Sequence, residues 1–258
     1  MKNENKKIYK SIKVNNLKIS YIFKERKKTG PKISVVFLSG YKSDMKGTKA
    51  KFIDKLSSNY GFEYLRFNYS GHGNSEGKIE EQTISSWLKE SLFLIKKNTH
   101  FPLILIGSSM GGWISLLIAI KFKSKVKGII GIAAAPDFTK KLINKMSPKE
   151  KKMYLKKKFI RVASEYAESE YTFTRTFIED AKKNYILKNQ TYLPSKLSLL
   201  YGTTDNAVTL NDQLKILSYF KFQEAKLIIS KESDHRMSSK KDLTLLKREL
   251  EQMIRDNI

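Results

Sequence analysis

Residues 102–120 read PLILIGSSMGGWISLLIAI, and most of what this chain can be follows from that stretch. The run PLILI is continuously apolar, as a strand buried on both faces requires. Residues 112–120 (GWISLLIAI) are apolar all round, so they predict a helix buried on every side. Between them lies Gly107-Ser108-Ser109-Met110-Gly111, a G-x-S-x-G pattern with Ser109 at its centre. Such a pattern needs small residues because the chain turns sharply from strand to helix and holds the serine in strained backbone geometry. Gly107 and Gly111 let strand, turn and helix approach closely. The five-residue pattern alone is common; the buried strand running in and the buried helix running out make it specific. A hydroxyl at the helix start also meets the positive end of the helix dipole.

Working outward, short apolar runs alternate with helical patterns, which is how a parallel sheet with crossover helices reads. Residues 8–14 and 17–23 alternate around Asn15-Asn16 and predict an edge hairpin. Residues 33–38 (ISVVFL), 62–67 (FEYLRF) and 126–133 (VKGIIGIA) join 102–106 as buried strands, and 197–201 (LSLLY) and 226–230 (KLIIS) complete a sheet of about eight strands. Ile84, Trp87, Leu88, Leu92 and Ile95 recur at helical spacing, as do Leu243, Leu246, Leu250, Met253 and Ile254. Strand-to-helix spacing is short except between the sixth and seventh strands. The expected architecture is a single α/β domain over residues 1–258, mostly parallel, with helices on both faces of the sheet. A helical lid is expected at about 136–194, containing a Lys-rich helix and a second helix near 174–187.

Composition narrows the chemistry. The chain has 258 residues, 40% hydrophobic and 11% aromatic, enough for one sizeable core. It has no cysteine, which excludes disulfides and thiolate nucleophiles, and three histidines leave little for a zinc site. The first ten residues are basic but no apolar segment follows, and no run approaches the length of a spanning helix, so a soluble cytoplasmic protein without a membrane span is expected. The net charge of +25 comes mostly from lysines scattered along the chain, together with many Asn and Ile. Those residues rise together in an AT-rich genome, and a dense Arg/Lys stripe with stacking aromatics is missing, so no nucleic-acid partner is expected. One local crowd stands out. Lys149, Lys151, Lys152, Lys156, Lys157 and Lys158 fall within the lid, where they form either a solvated helix face or a positive mouth that attracts anionic acyl substrates.

A serine on such an elbow needs a base and an acid, and in this architecture they follow in the order Ser, Asp or Glu, His. Only His235 lies after Ser109, because His72 and His100 both precede it. His235 falls in a polar loop between the last strand and the final helix. The acid is Asp205, which follows LLYGTT at a strand end, with Asp137 after GIAAAPD as the alternative. Its task is to hold the imidazole tautomer and stabilise the imidazolium. The oxyanion donors are expected to be the backbone N–H groups of Met110 and of Tyr41, after Leu38-Ser39-Gly40. No metal or cofactor is implied.

With these residues in place the chain resembles the α/β-hydrolase-domain palmitoyl-protein thioesterases, a group that also includes an acyl-glucuronide esterase, and their bacterial relatives. The resemblance spans about residues 35–249. It rests on FLSGYKSDMKGTKA, LRFNYSGHGNSEG, LIGSSMGGW, GIAAAPDFT, SEYAESEYTFTRTFIEDAKK and SDHRMSSKKDLTLL, in that order. It implies an α/β-hydrolase fold and hydrolysis of acyl esters or thioesters by Ser109, Asp205 and His235 without a cofactor. Near the acid the chain departs from the group, with Tyr201-Gly202 where His-Gly is frequent and Asn206-Ala207 where Pro is. Acyl transfer to an acceptor other than water by the same triad, and a non-catalytic binding module on the scaffold, are the competing readings. Neither the acyl group nor the oligomeric state is specified by the sequence.

Overall fold

The computed structural model describes residues 9–163 and 170–257. It begins with a hairpin, β1 (Lys10–Val14) and β2 (Leu17–Lys24), turned by Asn15 and Asn16 at φ 48° and 66°. Two consecutive left-handed residues make a turn whose twist matches that of the flanking strands, and Asn tolerates the conformation best after Gly. β3 (Ser34–Leu38), β4 (Glu63–Phe67), β5 (Leu103–Ser108) and β6 (Val126–Ile132) follow, with helices α1 (Thr48–Tyr60), α2 (Ile84–Asn98) and α3 (Met110–Lys121) between them. After β6 come α4 (Thr139–Asn144), α5 (Pro148–Lys157), the short strands β7 (Phe159–Val162) and β8 (Tyr171–Thr174), and α6 (Arg175–Lys183). The chain closes with β9 (Thr191–Gly202), α7 (Leu210–Tyr219), β10 (Phe220–Ser230) and α8 (Lys240–Arg255).

Eight strands form one sheet in the order β1-β2-β4-β3-β5-β6-β9-β10, antiparallel at β1–β2 and β2–β4 and parallel from β4 to β10. Alternate side chains feed two cores. Val36, Leu38, Leu103 and Leu105 face Trp87 of α2 and Trp113 of α3, while Val35, Phe37, Ile104 and Ile106 face Ile53 of α1 and Leu250 of α8. Every residue of β3 and β4 is buried, which explains the apolar run of β3; the two charged residues of β4 are paired, Glu63 with Ser34 and His100 and Arg66 with Asp54. Each large side chain removed from water in this way contributes roughly 1.5–3 kcal/mol.

The sequence reading holds for the sheet and needs correction around it. The insertion after β6 is not wholly helical: β7 and β8 pair as an antiparallel hairpin between α5 and α6. The Lys-rich helix is α5, started by Pro148 and by a reciprocal Ser147–Glu150 capping pair. The second helix is shorter than residues 174–187, running as α6 after a Thr174 cap. β9 begins at Thr191, because a bulge absorbs Pro194: Leu193 pairs with Phe222 and Lys196 with Glu224, leaving two residues opposite one. Residue 8 of the expected hairpin and residues 164–169 of the SEYAESEYTFTRTFIEDAKK block lie outside the described residues.

Backbone segments come together with no room for a side chain at the start of α3. A Cβ at Gly111 would lie 2.0 Å from the Leu38 carbonyl oxygen, and one at Gly107 would lie 2.3 Å from the Gly111 carbonyl oxygen. Both neighbours are backbone, so neither yields cheaply. Gly111→Ala should therefore lower the unfolding free energy by about 3 kcal/mol, read from urea denaturation; a midpoint equal to that of the wild type would mean that α3 can move away from β3.

Candidate active site

Ser109 caps α3 with φ 54° and ψ −117°, a conformation that costs a non-glycine residue roughly 1–3 kcal/mol. Three backbone hydrogen bonds hold it there. Its N–H donates to Ile132 C=O (2.9 Å), and its C=O accepts from Gly112 (2.9 Å) and Ala135 (3.1 Å). The turn raises the serine from the end of β5, half-buried, beside Gly40; a Cβ on Gly40 would come within 3.4 Å of Ser109 Cβ. β3, β5, β6, β9 and β10 are parallel, so the loops after them open on one edge of the sheet. Tyr41, Ser109, Asp205 and His235 all occupy that edge.

Asp205 and His235 meet directly. The Asp205 side chain is fully buried, and its Oδ2 lies 2.8 Å from His235 Nδ1. Its Oδ1 accepts from the N–H groups of Ala207 and Val208, each at 2.8 Å. With that carboxylate as partner, Nδ1 carries the proton and the basic lone pair falls on Nε2. The chain's Asn206-Ala207 sequence serves this arrangement, since a proline at 207 would have no N–H to give. The loop bearing His235 is pinned from α1, where Lys49 Nζ donates to Arg236 C=O and to Ser238 Oγ. Burial pushes that ammonium down to about 8. α8 then starts on a Ser239–Asp242 capping pair, which fixes the loop's far end.

Asp137, the alternative acid, is committed elsewhere. Its carboxylate accepts from Ile186 N–H (2.9 Å) and Leu187 N–H (3.0 Å) and pairs with Lys140 Nζ (3.2 Å). Asp137 therefore ties the return of the lid to the end of β6. Asp234 is turned to its own loop and accepts from Met237 N–H at 3.0 Å.

Among the described hydrogen bonds none uses the N–H of Tyr41 or of Met110, and the Ser109 hydroxyl is likewise unengaged by a described residue. A hydroxyl and backbone N–H groups left unengaged in this way are the kinds of group needed to attack a carbonyl carbon and to bind the negative oxygen formed on it. The Tyr41 ring packs on Phe173 (4.8 Å between centroids) and Tyr171 (5.3 Å), and its hydroxyl donates to Thr172 C=O at 2.8 Å. Burial holds that phenol well above its usual pKa. Phe138, Phe173 and Phe177, all within the insertion, stack on one another next to it, with Phe173 and Phe177 buried. The sequence reading did not single out these lid aromatics, Lys49 or His72; the signal for Phe173 was the YTFT alternation of residues 171–174, too short to read as a strand.

The chain belongs to the alpha/beta hydrolase fold family, whose profile matches residues 34–254. It is a hydrolase of that fold, with the mostly parallel eight-stranded sheet expected of it. Within the family it is similar to palmitoyl-protein thioesterase ABHD10, mitochondrial: 34% identity to the Bos taurus protein over 218 residues, 84% of this chain and 71% of that one. The Homo sapiens protein is likewise 34% identical over 222 residues, 86% of this chain and 72% of the relative. Among solved structures, a putative hydrolase from Agrobacterium vitis S4 superposes with a TM-score of 0.90 at 30% identity, covering 96% of this chain and 98% of the other. Mouse alpha/beta hydrolase domain-containing protein 10 gives 0.89 at 28% identity, covering 96% and 99%. The resemblance read from the six blocks is thus borne out. Among the described residues no helix is long and apolar enough to cross a membrane.

The different duties of the two aspartates separate in a single comparison. Asp137→Asn should lower stability by about 1.5–3 kcal/mol through its lost charge-assisted bonds while a p-nitrophenyl ester is still turned over at close to the wild-type rate. A stable but inactive Asp137→Asn would move the acid to the end of β6.

Proposed function

We propose that this chain is a serine hydrolase of carboxylic esters or thioesters, acting through an acyl-enzyme on Ser109. The observation that carries the reading is the 2.8 Å contact between His235 Nδ1 and a buried Asp205 whose other oxygen is satisfied by two backbone N–H groups. It leaves a correctly tautomerised base on the sheet edge where Ser109 stands in strained geometry.

On this reading Ser109 Oγ attacks the acyl carbonyl while His235 Nε2 takes its proton. The N–H groups of Tyr41 and Met110 stabilise the oxygen that becomes negative. The imidazolium, held by Asp205, gives the proton to the departing alkoxide or thiolate, and water then repeats the cycle on the acyl-enzyme. The half-buried rings of Tyr41 and Phe138, backed by the buried Phe173, suit an apolar acyl chain. The relatives named palmitoyl-protein thioesterases support a thioester among the substrates. The α5 lysines, none of them buried, extend the proposal to anionic acyl substrates attracted to the mouth. The chain works as one domain, with residues of about 136–194 as its lid. A cytoplasmic location belongs to the same proposal, although the relatives carry "mitochondrial" in their names.

Ser109→Ala should abolish labelling by a fluorophosphonate probe and lower kcat by at least ~10⁴-fold, with Ser108→Ala far milder. Asp205→Asn should keep the fold and lose about 10³- to 10⁴-fold in kcat, because the imidazole loses its tautomer control. An inactive Ser108→Ala with an active Ser109→Ala would place the nucleophile one residue earlier.

A further inference from the structure

The loop after β4 holds a histidine that the proposed chemistry does not use. His72 is 2% exposed and packs edge-on against Trp87, Tyr69 and Tyr41, with ring centroids 5.1, 5.5 and 6.2 Å away. Both ring nitrogens are engaged. Nδ1 lies 3.2 Å from Ser70 C=O, and Nε2 lies 3.1 Å from the Lys42 backbone nitrogen. A carbonyl only accepts and an N–H only donates, so the proton sits on Nδ1 and Nε2 is the acceptor. Burial pushes the imidazole down to about 4, which keeps it neutral and Nε2 able to accept near neutral pH.

The histidine is itself anchored. Ser70 donates its N–H to Glu90 Oε2 (2.9 Å) and its hydroxyl to Glu90 Oε1 (2.6 Å), and its carbonyl also accepts from Trp87 Nε1 (3.1 Å). The far end of the chain of contacts is the turn after β3. Lys42 there has φ 54°, a left-handed conformation unfavourable for lysine, and it adjoins Tyr41. Gly40 borders Ser109, and Tyr41 and Lys42 follow it directly in the chain. An acceptor on the Lys42 N–H fixes the Tyr41–Lys42 peptide plane and with it the torsions that aim the Tyr41 N–H.

We propose that His72 is a positioning residue for the oxyanion site, its neutral Nε2 holding the Lys42 N–H so that the Tyr41 N–H faces the oxygen formed on attack by Ser109. This rests on the reading of Ser109 as nucleophile and Tyr41 as oxyanion donor. The effect falls on the transition state, since the donor is aimed at an oxygen that becomes negative only there.

Two variants of the full chain test it: His72→Phe keeps a ring and has no acceptor, whereas His72→Gln can present a carbonyl oxygen to Lys42. Rates are taken per probe-titrated active site, so loss of folded protein does not count. His72→Phe should lower kcat for a p-nitrophenyl ester by about 100-fold, the scale of losing one oxyanion donor, with KM within about threefold. Its affinity for a trifluoromethyl ketone of the same acyl chain should fall in parallel with kcat/KM, and His72→Gln should restore at least about tenfold of the loss. A folded His72→Phe with kcat within about threefold of wild type, or one whose loss lies wholly in KM, overturns the proposal. The Lys42 amide is followed by ¹⁵N NMR in the same proteins; it should be protected from exchange in the wild type and exposed in His72→Phe. If the wild type hydrolyses no ester and takes no probe while that amide stays protected, the reading of the site has failed, and this role falls with it. If the wild type is active and the Lys42 amide is unprotected, the positioning role alone is wrong.

Discussion

Ser109 is held at φ 54° by backbone on three sides, and much of the molecule is arranged around keeping it there. A strained residue persists only where its surroundings over-determine it. Here β5 delivers the chain from the middle of the sheet, α3 takes it away at once, and Ile132, Gly112 and Ala135 fix both peptide groups of the serine. The contact demands bare backbone where α3 crosses β3, which is why Gly111 lies against Leu38 with no room for a methyl group. The two hydrophobic cores on either face of the sheet supply the free energy that this crossing costs.

The same edge of the sheet solves an electrostatic problem. A buried carboxylate without a basic partner is costly unless hydrogen bonds replace its water. Asp205 finds three: two from the peptide groups that follow it and one from His235. Among the described residues no arginine pairs with it, and on the proposed reading the carboxylate faces the imidazolium formed during the reaction. Asp137, equally buried, spends its oxygens on the lid's backbone and a lysine, so two aspartates at neighbouring strand ends have separate work.

The parts of this structure legible in the sequence are those in which a side-chain pattern is forced. Strands buried on both faces are mostly apolar, so β3, β5 and β6 stood out, and the G-x-S-x-G pattern placed Gly107 and Gly111 around Ser109. Chain order pointed to His235 and Asp205, which the structure shows in contact, whereas the partners of Asp137 on the lid backbone and Lys140 could not be read from the sequence. What was hidden depends on backbone. β10 is an edge strand of mixed burial with no clean alternation before residue 226, and the start of β9 was masked by Pro194 in a bulge. The β7–β8 hairpin is short and only partly buried, so its apolar residues form no run. His72 acts on Lys42 through a main-chain N–H, a partner that no pattern of side chains records.

The central claim is that an acyl group is carried on Ser109, and mass spectrometry of the intact protein tests it most directly. Rapid quenching after mixing with a slowly deacylating activated ester should show one added acyl mass, and proteolysis should place it on Ser109 in the peptide that spans residues 102–120. The adduct should be missing from Ser109→Ala and accumulate in His235→Ala only slowly. A wild-type protein that hydrolyses the ester with no acyl mass at any quench time, or with the mass on Ser108 or another residue, would contradict the account.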